Sequence, residues 1–394
     1  MSKKQSVNSN SAVVKQSAFT QIKWKHYINY IVLGLATIVF TILGLAGALP
    51  KSLTGNLVAI CISMILAVSL SLVVGFLGEL SLGHAGFMCV GAYLGGKVSV
   101  LLEPMLGDGI PSLLISLLVG GLCAGICGFI IGLPALRLKG DYLAITTLAF
   151  GEIVRTIFQN SSAESFGGPT GIKTPRFDDK YFYIICLVMV LLTVFVVQNL
   201  IRSKHGRAIT AIRDNEIAAK ATGINVTKYK LLCFVAAAVF AGIAGVLFSF
   251  SKYTFSSATF DYNYSIEILV MVVLGGMGNI TGSLIAAAAV TFLNAELQTI
   301  LTGDLAILKD LVYALILIVI VIYNNAPALK NFRDRVSLRK LLSFGKNKKN
   351  VHSGDDTGRW DVVPTKIKMD AIISTDLKVE NFDPDKPDKP KEDR

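Results

Sequence analysis

Long apolar runs alternate with short polar links along most of the chain. A helix needs about 20 apolar residues to cross the hydrocarbon core of a bilayer, and most of these runs have that length. The pattern predicts an all-α integral membrane protein, a polytopic bundle of about ten transmembrane helices, within a range of eight to eleven. The predicted spans are 27–49, 54–77, a run from the following polar break to 102, 112–134, 141–158, 182–201, 231–250, 265–274, a run from a second break to 297, and 305–323.

Two neighbouring pairs of runs are joined by glycine-rich breaks that predict broken or re-entrant helices. The first break, Gly75–Phe87, holds Glu79, Ser81 and His84 among four glycines. A charged residue at the bilayer centre costs roughly 2.5–3.5 kcal/mol, and broken helices are tolerated where they line a cavity or pack inside a bundle. Close helix packing explains the glycines at least as well, but it explains the three polar residues less well.

The second break, Gly275–Asn279, repeats part of the first. Its spacing Gly-x-x-Gly-x-x-Thr, ending at Thr281, matches the spacing that ends at Ser81, at an offset of 200 residues. Internal repeats are common in transporters, although one short match also fits chance.

Composition and charge narrow the class of protein. The chain is 53% hydrophobic and only 16% charged, with a mean hydropathy of +0.59, which excludes most soluble globular proteins. The net charge of +11 does not indicate nucleic-acid binding, because the lysines and arginines lie mainly at the ends of spans and in two basic segments. All six cysteines lie in apolar runs without a metal-binding spacing, so we interpret them as small core residues.

The distribution of charge also predicts the domains and the orientation. Residues 1–26 carry five lysines and 326–350 are strongly basic, so the positive-inside rule places both termini in the cytoplasm. Residues 27–325 form the transmembrane domain. The Asp-, Lys- and Pro-rich segment 351–394 is typical of a disordered cytosolic tail.

One polar loop, residues 205–224, is longer than a simple connection requires, and we call it the knob. From Arg202 to Lys230 there are seven basic and two acidic residues, which indicates a cytoplasmic position. Two short helices are predicted, 207–213 and 216–222, with Asp214 or Asn215 as a cap and Gly223 as the stop. The knob is a candidate docking surface for a partner; the alternative is an amphipathic loop lying on anionic lipid headgroups.

Two ion pairs are predicted inside the apolar part. Glu152 and Arg155 stand three residues apart on one helix face, where a mutual salt bridge lowers the cost of insertion. For Lys97 two alternatives are open: its side chain snorkels toward the membrane surface, or it pairs with Glu79.

Several motifs resemble the permeases of branched-chain amino acid importers of the LivM type. The first break carries G-x-x-G-x-x-S-x-G-H-A-x-F followed by G-A-Y, and residues 137–155 carry R-L-K-G-D-Y-L-A-I-x-T-L-x-F-G-E-I-x-R. The knob resembles the ATPase-coupling loop of ABC importers, with Glu-Ile-Ala-Ala at 216–219 in place of the usual E-A-A. The resemblance covers about residues 27–335.

The resemblance implies an ABC-importer permease of the bacterial plasma (inner) membrane. Such a chain is half of a heterodimeric pore, beside a second related permease, two cytosolic ABC ATPases and an extracytoplasmic amino-acid-binding protein. It implies no cofactor, no metal and no catalytic residue, because ATP hydrolysis belongs to the partners. The translocation-path candidates are Gly78, Glu79, Ser81, Gly83 and His84, and the ATPase-coupling candidates are Arg207, Arg213, Asp214, Glu216, Ala219 and Gly223.

Other functions stay open at this point. A urea or short-amide permease shares the motifs quoted above. An ATP-independent secondary transporter also uses broken helices and intramembrane charges, but it would not need the knob. A membrane enzyme would need clustered acids or histidines, and Glu79 with His84 is the only such pair.

Overall fold

The computed structural model describes residues 30, 33–43, 50–106, 109–138, 140–174, 182–252, 254–300, 311–315 and 318. The predictions for 1–26, 326–350 and 351–394, and most of the tenth span, lie outside these residues.

Helices account for nearly all of the regular structure in the described residues. The long helices closely follow the predicted apolar runs, with ends shifted by a few residues. In chain order, and including the short helices α6, α8 and α9 that join the long ones, the helices are α1 (Leu33–Leu43), α2 (Lys51–Ser71, continued by a π-helical segment Leu72–Leu77), α3 (His84–Leu106), α4 (Ile110–Ala135), α5 (Asp141–Gln159), α6 (Ala163–Phe166), α7 (Phe182–Arg202), α8 (Lys204–Asp214), α9 (Glu216–Ala221), α10 (Val226–Ser251), α11 (Tyr262–Gly275) and α12 (Ile280–Ile300). Residues 311–315 are also helical.

The all-α membrane architecture is confirmed. Among the described residues, six helices are long and apolar enough to cross a bilayer: α2 with its π-helical segment, α3, α4, α7, α10 and α12. Helices α1 and α11 are apolar but shorter. Helix α5 carries the predicted ion pair, with Arg155 Nε 2.8 Å from Glu152 Oε2. The count of ten crossings stays a prediction.

The centre of the bundle is built by α2, α3, α4 and α10. Along its most apolar window, α2 is 83% buried, whereas α12 is 33% buried. Helices α3 and α10 approach closely through glycines: a Cβ on Gly91 would collide with the backbone of Gly242, and a Cβ on Gly245 would collide with the carbonyl oxygen of Met88. Small residues allow this close packing, which drives helix association in membranes.

The end of the bundle away from the knob is closed by aromatic rings and by two short strands that are far apart in the chain. Strands β1 (Ile172–Lys173) and β2 (Thr254–Phe255) pair in antiparallel register. Above them Tyr93 stacks on Phe158 with ring centroids 4.3 Å apart and meets Phe255 edge-on. Residues 167–171, with three glycines of positive φ, lead directly into β1.

We predict that Gly91→Ala will destabilise the bundle. The added methyl group collides with backbone atoms of α10, and overpacking of this kind costs about 1–3 kcal/mol. Thermal unfolding of the purified chain in detergent measures the change. The matched control is Gly55→Ala in α2, where nothing lies within 4 Å of the new Cβ; equal melting temperatures for the two variants would contradict the packing interpretation.

Candidate functional site

The knob folds as two capped helices, as the sequence predicts. The Ser203 hydroxyl accepts from the backbone N–H of His205 (3.1 Å) at the start of α8, and Asn215 Oδ1 accepts from Ala218 N–H (3.0 Å) at the start of α9. Gly223 ends the knob with φ +85°, a left-handed conformation that favours glycine. Of the two caps considered for α9, Asn215 is the one used.

The first break begins where α2 widens into a π-helical segment. A helix end leaves backbone carbonyls without partners inside the helix, and here other elements supply them. The Cys233 thiol on α10 lies 3.2 Å from Leu72 O and donates to it. The guanidinium of Arg213 on α8 donates from Nη1 to Gly75 O at 3.0 Å. The chain then turns at Gly78, which has φ +81°.

The backbone N–H groups at the start of α3 also find partners, on side chains from distant parts of the chain. Thr147 Oγ1 on α5 accepts from Leu82 N–H at 3.0 Å, and Ser265 Oγ on α11 accepts from Ala85 N–H at 3.1 Å. Buried backbone groups need partners because an unpaired one costs free energy comparable to a lost hydrogen bond. The break is therefore ordered along this stretch, and it is buried from Gly83 onward.

His84 belongs to the same junction. Its Nε2 lies 2.8 Å from Ser69 Oγ, and that hydroxyl donates to Leu66 O at 2.9 Å. A hydroxyl can both donate and accept, so Ser69 can pair with Nε2 in either tautomer of the imidazole. The imidazole is 2% exposed.

The two glycine breaks meet. A Cβ on Gly75 would lie 2.5 Å from the backbone nitrogen of Gly278, so only glycine fits at this crossing. Gly78 and Gly278, which correspond at the offset of 200 residues, share nearly the same φ, +81° and +80°. Arg213 packs against both breaks. The matching backbone supports the repeat hypothesis, which stays a prediction.

A buried lysine ties the knob to the first break. Lys230 Nζ on α10 lies 2.5 Å from Glu79 Oε1 and 3.2 Å from Glu216 Oε2. Its side chain is only 4% exposed, against 14% for Glu79 and 35% for Glu216. Burial of a charge is tolerated when it is paired and hydrogen-bonded, and here one ammonium group serves two carboxylates.

The predicted pair of Lys97 with Glu79 is wrong. Lys97 lies more than three turns into α3 and donates to the backbone carbonyl of Glu164 at 3.2 Å. Thirteen helical residues separate Lys97 from the start of α3, which is about 20 Å of rise, so its side chain is far from the break.

The predicted site residues divide into three groups. Glu79, Arg213 and Glu216 are brought together at the junction of the knob and the first break. Ser81, Gly83 and His84 are buried in the bundle. The remaining residues are Ala219, which is buried on the inner face of α9, and four exposed residues: Gly78, Arg207, Asp214 and Gly223.

The sequence analysis missed four residues that complete the junction. Lys230 was counted only as part of the charge of the loop, and Cys233, Thr147 and Ser265 were counted as ordinary span residues. Lys230 stands directly before the predicted span 231–250, where a basic residue is usual, so nothing in the sequence pattern singled it out. A groove of about 200 Å³ opens beside the second break; its lining includes Phe76, Gln198, Arg202, Gly278, Asn279 and Thr281.

Broken helices inside an apolar bundle, with a folded polar knob held against one of them, define a multi-pass membrane permease. Comparison with known families agrees. Residues 52–321 match the family described as branched-chain amino acid transport system / permease component, and the chain belongs to this family. The family and the six apolar helices indicate a multi-pass protein of the bacterial inner membrane.

Three of the relatives are permeases of the LivM type. The chain is 36% identical over 269 residues to the high-affinity branched-chain amino acid transport system permease protein LivM of Salmonella typhimurium, covering 60% of this chain and 61% of the relative. It is 37% identical to LivM of Escherichia coli over 57% of this chain and 59% of the relative. A probable LivM of Methanocaldococcus jannaschii is 31% identical over 46% and 54%. The chain thus spans about three fifths of the length of the first two relatives. No solved structure gives a significant match.

We predict that Ser69→Ala will destabilise the junction by about 1–3 kcal/mol. The substitution removes the hydroxyl that pairs with the buried Nε2 of His84, and a buried polar group without a partner costs about that much. Thermal unfolding in detergent measures the loss. Ser99→Ala is the matched control, because the buried Ser99 hydroxyl bonds only to the Gly96 carbonyl of its own helix; a loss as large in the control would show that the imidazole contact is unimportant.

Proposed function

We propose that this chain is the permease subunit of an ATP-binding cassette importer and forms half of the translocation path for leucine, isoleucine and valine. The observation that carries the proposal is the joint contact of the knob with the first break, through Arg213 and Lys230. A secondary carrier has no need to fix a polar knob onto a broken helix. Membership of the permease family supports the same function.

The knob would face the cytoplasm, with both chain termini on the same side, because the positive-inside rule favours that orientation. Two cytosolic ABC ATPases would dock on the knobs of this chain and of a second related permease. An extracytoplasmic amino-acid-binding protein would deliver the substrate at the other face. ATP hydrolysis would take place on the ATPase subunits, so this chain would not itself be an enzyme.

The two faces of α9 support a coupling role. Ala219 is 4% exposed and holds the helix on the bundle, whereas Ile217 is 82% exposed on the outer face. An isoleucine on the surface of a polar loop is a suitable anchor for a pocket on a partner. Gly223, Arg207 and the outer face of α9 would form the contact with the ATPase, while Arg213 and Glu216 would pass its movement inward.

The first break would be the moving part of the path. Glu79 and Gly78 lie at its more open end, next to the knob. Ser81, Gly83 and His84 lie in its packed end, so we propose that they keep α3 in register while the path opens beside them. A Cβ on Gly83 would collide with the backbone of Thr147, which leaves no room for sliding at that point.

The substrate is proposed from the relatives. Two of them are named as high-affinity branched-chain amino acid permeases, and this is favoured over the urea or short-amide alternative. Apolar side chains also suit a bundle lined with glycine and alanine.

We predict that Gly223→Trp will abolish leucine uptake while the chain still inserts into the membrane. Nothing lies within 4 Å of a Cβ at Gly223, so the indole would project outward and block docking rather than disturb the bundle. The measurement is ATP-dependent uptake of labelled leucine in cells that lack this gene, complemented with the normal chain or the variant at equal membrane level. Excess unlabelled isoleucine should compete in the same assay, and urea should not.

Two control variants separate bulk from backbone strain. Gly223→Ala introduces the same positive-φ strain without the bulk and should retain most of the uptake. Gly140→Trp places the same large side chain at another open glycine of positive φ outside the knob. Normal uptake by Gly223→Trp would rule out coupling through this surface and favour a secondary carrier.

We predict that Ile217→Asp will reduce leucine uptake at least tenfold without lowering the thermal stability of the isolated chain. The side chain is exposed in the isolated chain, so the charge costs little there, but it would be desolvated at a docked interface. Co-purification with the ATPase subunits measures docking directly. Lys220→Asp, an exposed change on the same short helix, serves as the comparison; if both variants bind the ATPases normally, Ile217 is not an anchor.

A further inference from the structure

Lys230 occupies an unusual position for a basic residue. It lies in the second turn of α10, almost completely buried, and its ammonium group contacts one carboxylate from the break and one from the knob. These two acids are 137 residues apart in the chain and belong to the two parts that a coupled permease has to connect. The sequence motifs discussed above give this lysine no role.

We propose that Lys230 is the positioning residue through which movement of the knob reaches the first break, by competition of Glu216 and Glu79 for one buried cation. The inference rests on the proposed function and specifies how its coupling is transmitted. When α9 is pressed toward the bundle, Glu216 takes a larger share of Lys230 and the hold on Glu79 weakens. When α9 withdraws, Lys230 returns to Glu79 and locks the break.

The geometry gives the two contacts different roles. The contact with Glu79 is the shorter one and the more buried, at 2.5 Å with 14% of the carboxylate side chain exposed. The contact with Glu216 is longer, at 3.2 Å, and its side chain is 35% exposed. Water can replace Lys230 at Glu216 far more easily than at Glu79. The knob contact is therefore the one that changes, and the break contact is the one that responds.

The shared ammonium group makes the two contacts dependent on each other. Both carboxylates contact the same Nζ atom, so a movement of Nζ toward one of them lengthens its distance to the other. Strengthening one contact therefore weakens the other. Arg213 also joins the knob to the break, but its side chain is 38% exposed and it binds a backbone carbonyl, which carries no net charge to exchange.

The first experiment compares Lys230→Met with the normal chain in the complete transporter, reconstituted in liposomes with its partner permease, ATPases and binding protein. Leucine uptake and ATP hydrolysis are measured in the same preparation. We expect the variant to keep hydrolysing ATP while the leucine transported per ATP falls at least tenfold. Lys228→Met is the matched control, because Lys228 is an exposed lysine on the same helix, and it should keep the normal ratio.

A second variant tests the link, by which we mean the connection of the knob to the first break through Lys230, without destabilising the fold. Glu216→Gln removes the partly exposed partner and leaves the buried pair of Lys230 and Glu79 in place, so the chain should be stable. We expect this variant also to lower the leucine transported per ATP. In the Lys230→Met background, the same Glu216→Gln change should alter that ratio less than twofold, since the shared cation is already absent.

The outcomes separate the link from the function. A normal complex that transports leucine, together with a Glu216→Gln variant that keeps the normal ratio of leucine to ATP, would overturn the link and leave the proposed function intact. Additive effects of Glu216→Gln and Lys230→Met would also overturn it. A normal complex that hydrolyses ATP but does not transport leucine would overturn the proposed function, and the link with it.

Discussion

The structure depends on satisfying the polar groups that a broken helix frees inside an apolar bundle. In a bilayer there is no water to accept them, so each unpaired group costs several kcal/mol. Helix α2 can end at Gly78 because α8 and α10 supply donors to its last carbonyls, and α3 can begin at His84 because α5 and α11 supply acceptors. The break between α2 and α3 is thus a junction with four further elements: α5, α8, α10 and α11.

This constraint explains why the knob is folded rather than loose. A donor that reaches a carbonyl of α2 must be held at a fixed distance, and α8 holds Arg213 there through its own cap and its buried face of Ile209 and Ile212. Lys230 needs the same order, because a buried cation is stable only when its partners are in place. The rigidity that keeps the junction stable would also allow a displacement of the knob to move the residues of the break.

Much of the fold could be predicted from the sequence, because membrane helices are specified by local pattern. The spans lie close to their predicted ends, and Asn215, Gly223 and the pair of Glu152 with Arg155 act as their spacing indicated. The partners of the break could not be predicted in this way. Thr147 and Ser265 are 65 and 180 residues from the groups they bind, and no periodicity reports contacts at that range. The wrong partner for Glu79 has the same origin, since proximity in sequence favoured Lys97.

The contact between the two breaks connects the two broken helices directly. Gly75 and Gly278 touch with no side chain between them, and Arg213 packs on both. A shift of α8 therefore acts on two broken helices together, α2 with α3 and α11 with α12, rather than on one alone. Helix α9, which carries Glu216 inward and Ile217 outward, is the short element through which a partner would set that shift. Because Gly75 and Gly278 leave no space for a side chain between the two breaks, a shift of one broken helix would displace the other by direct contact, without any single strong bond.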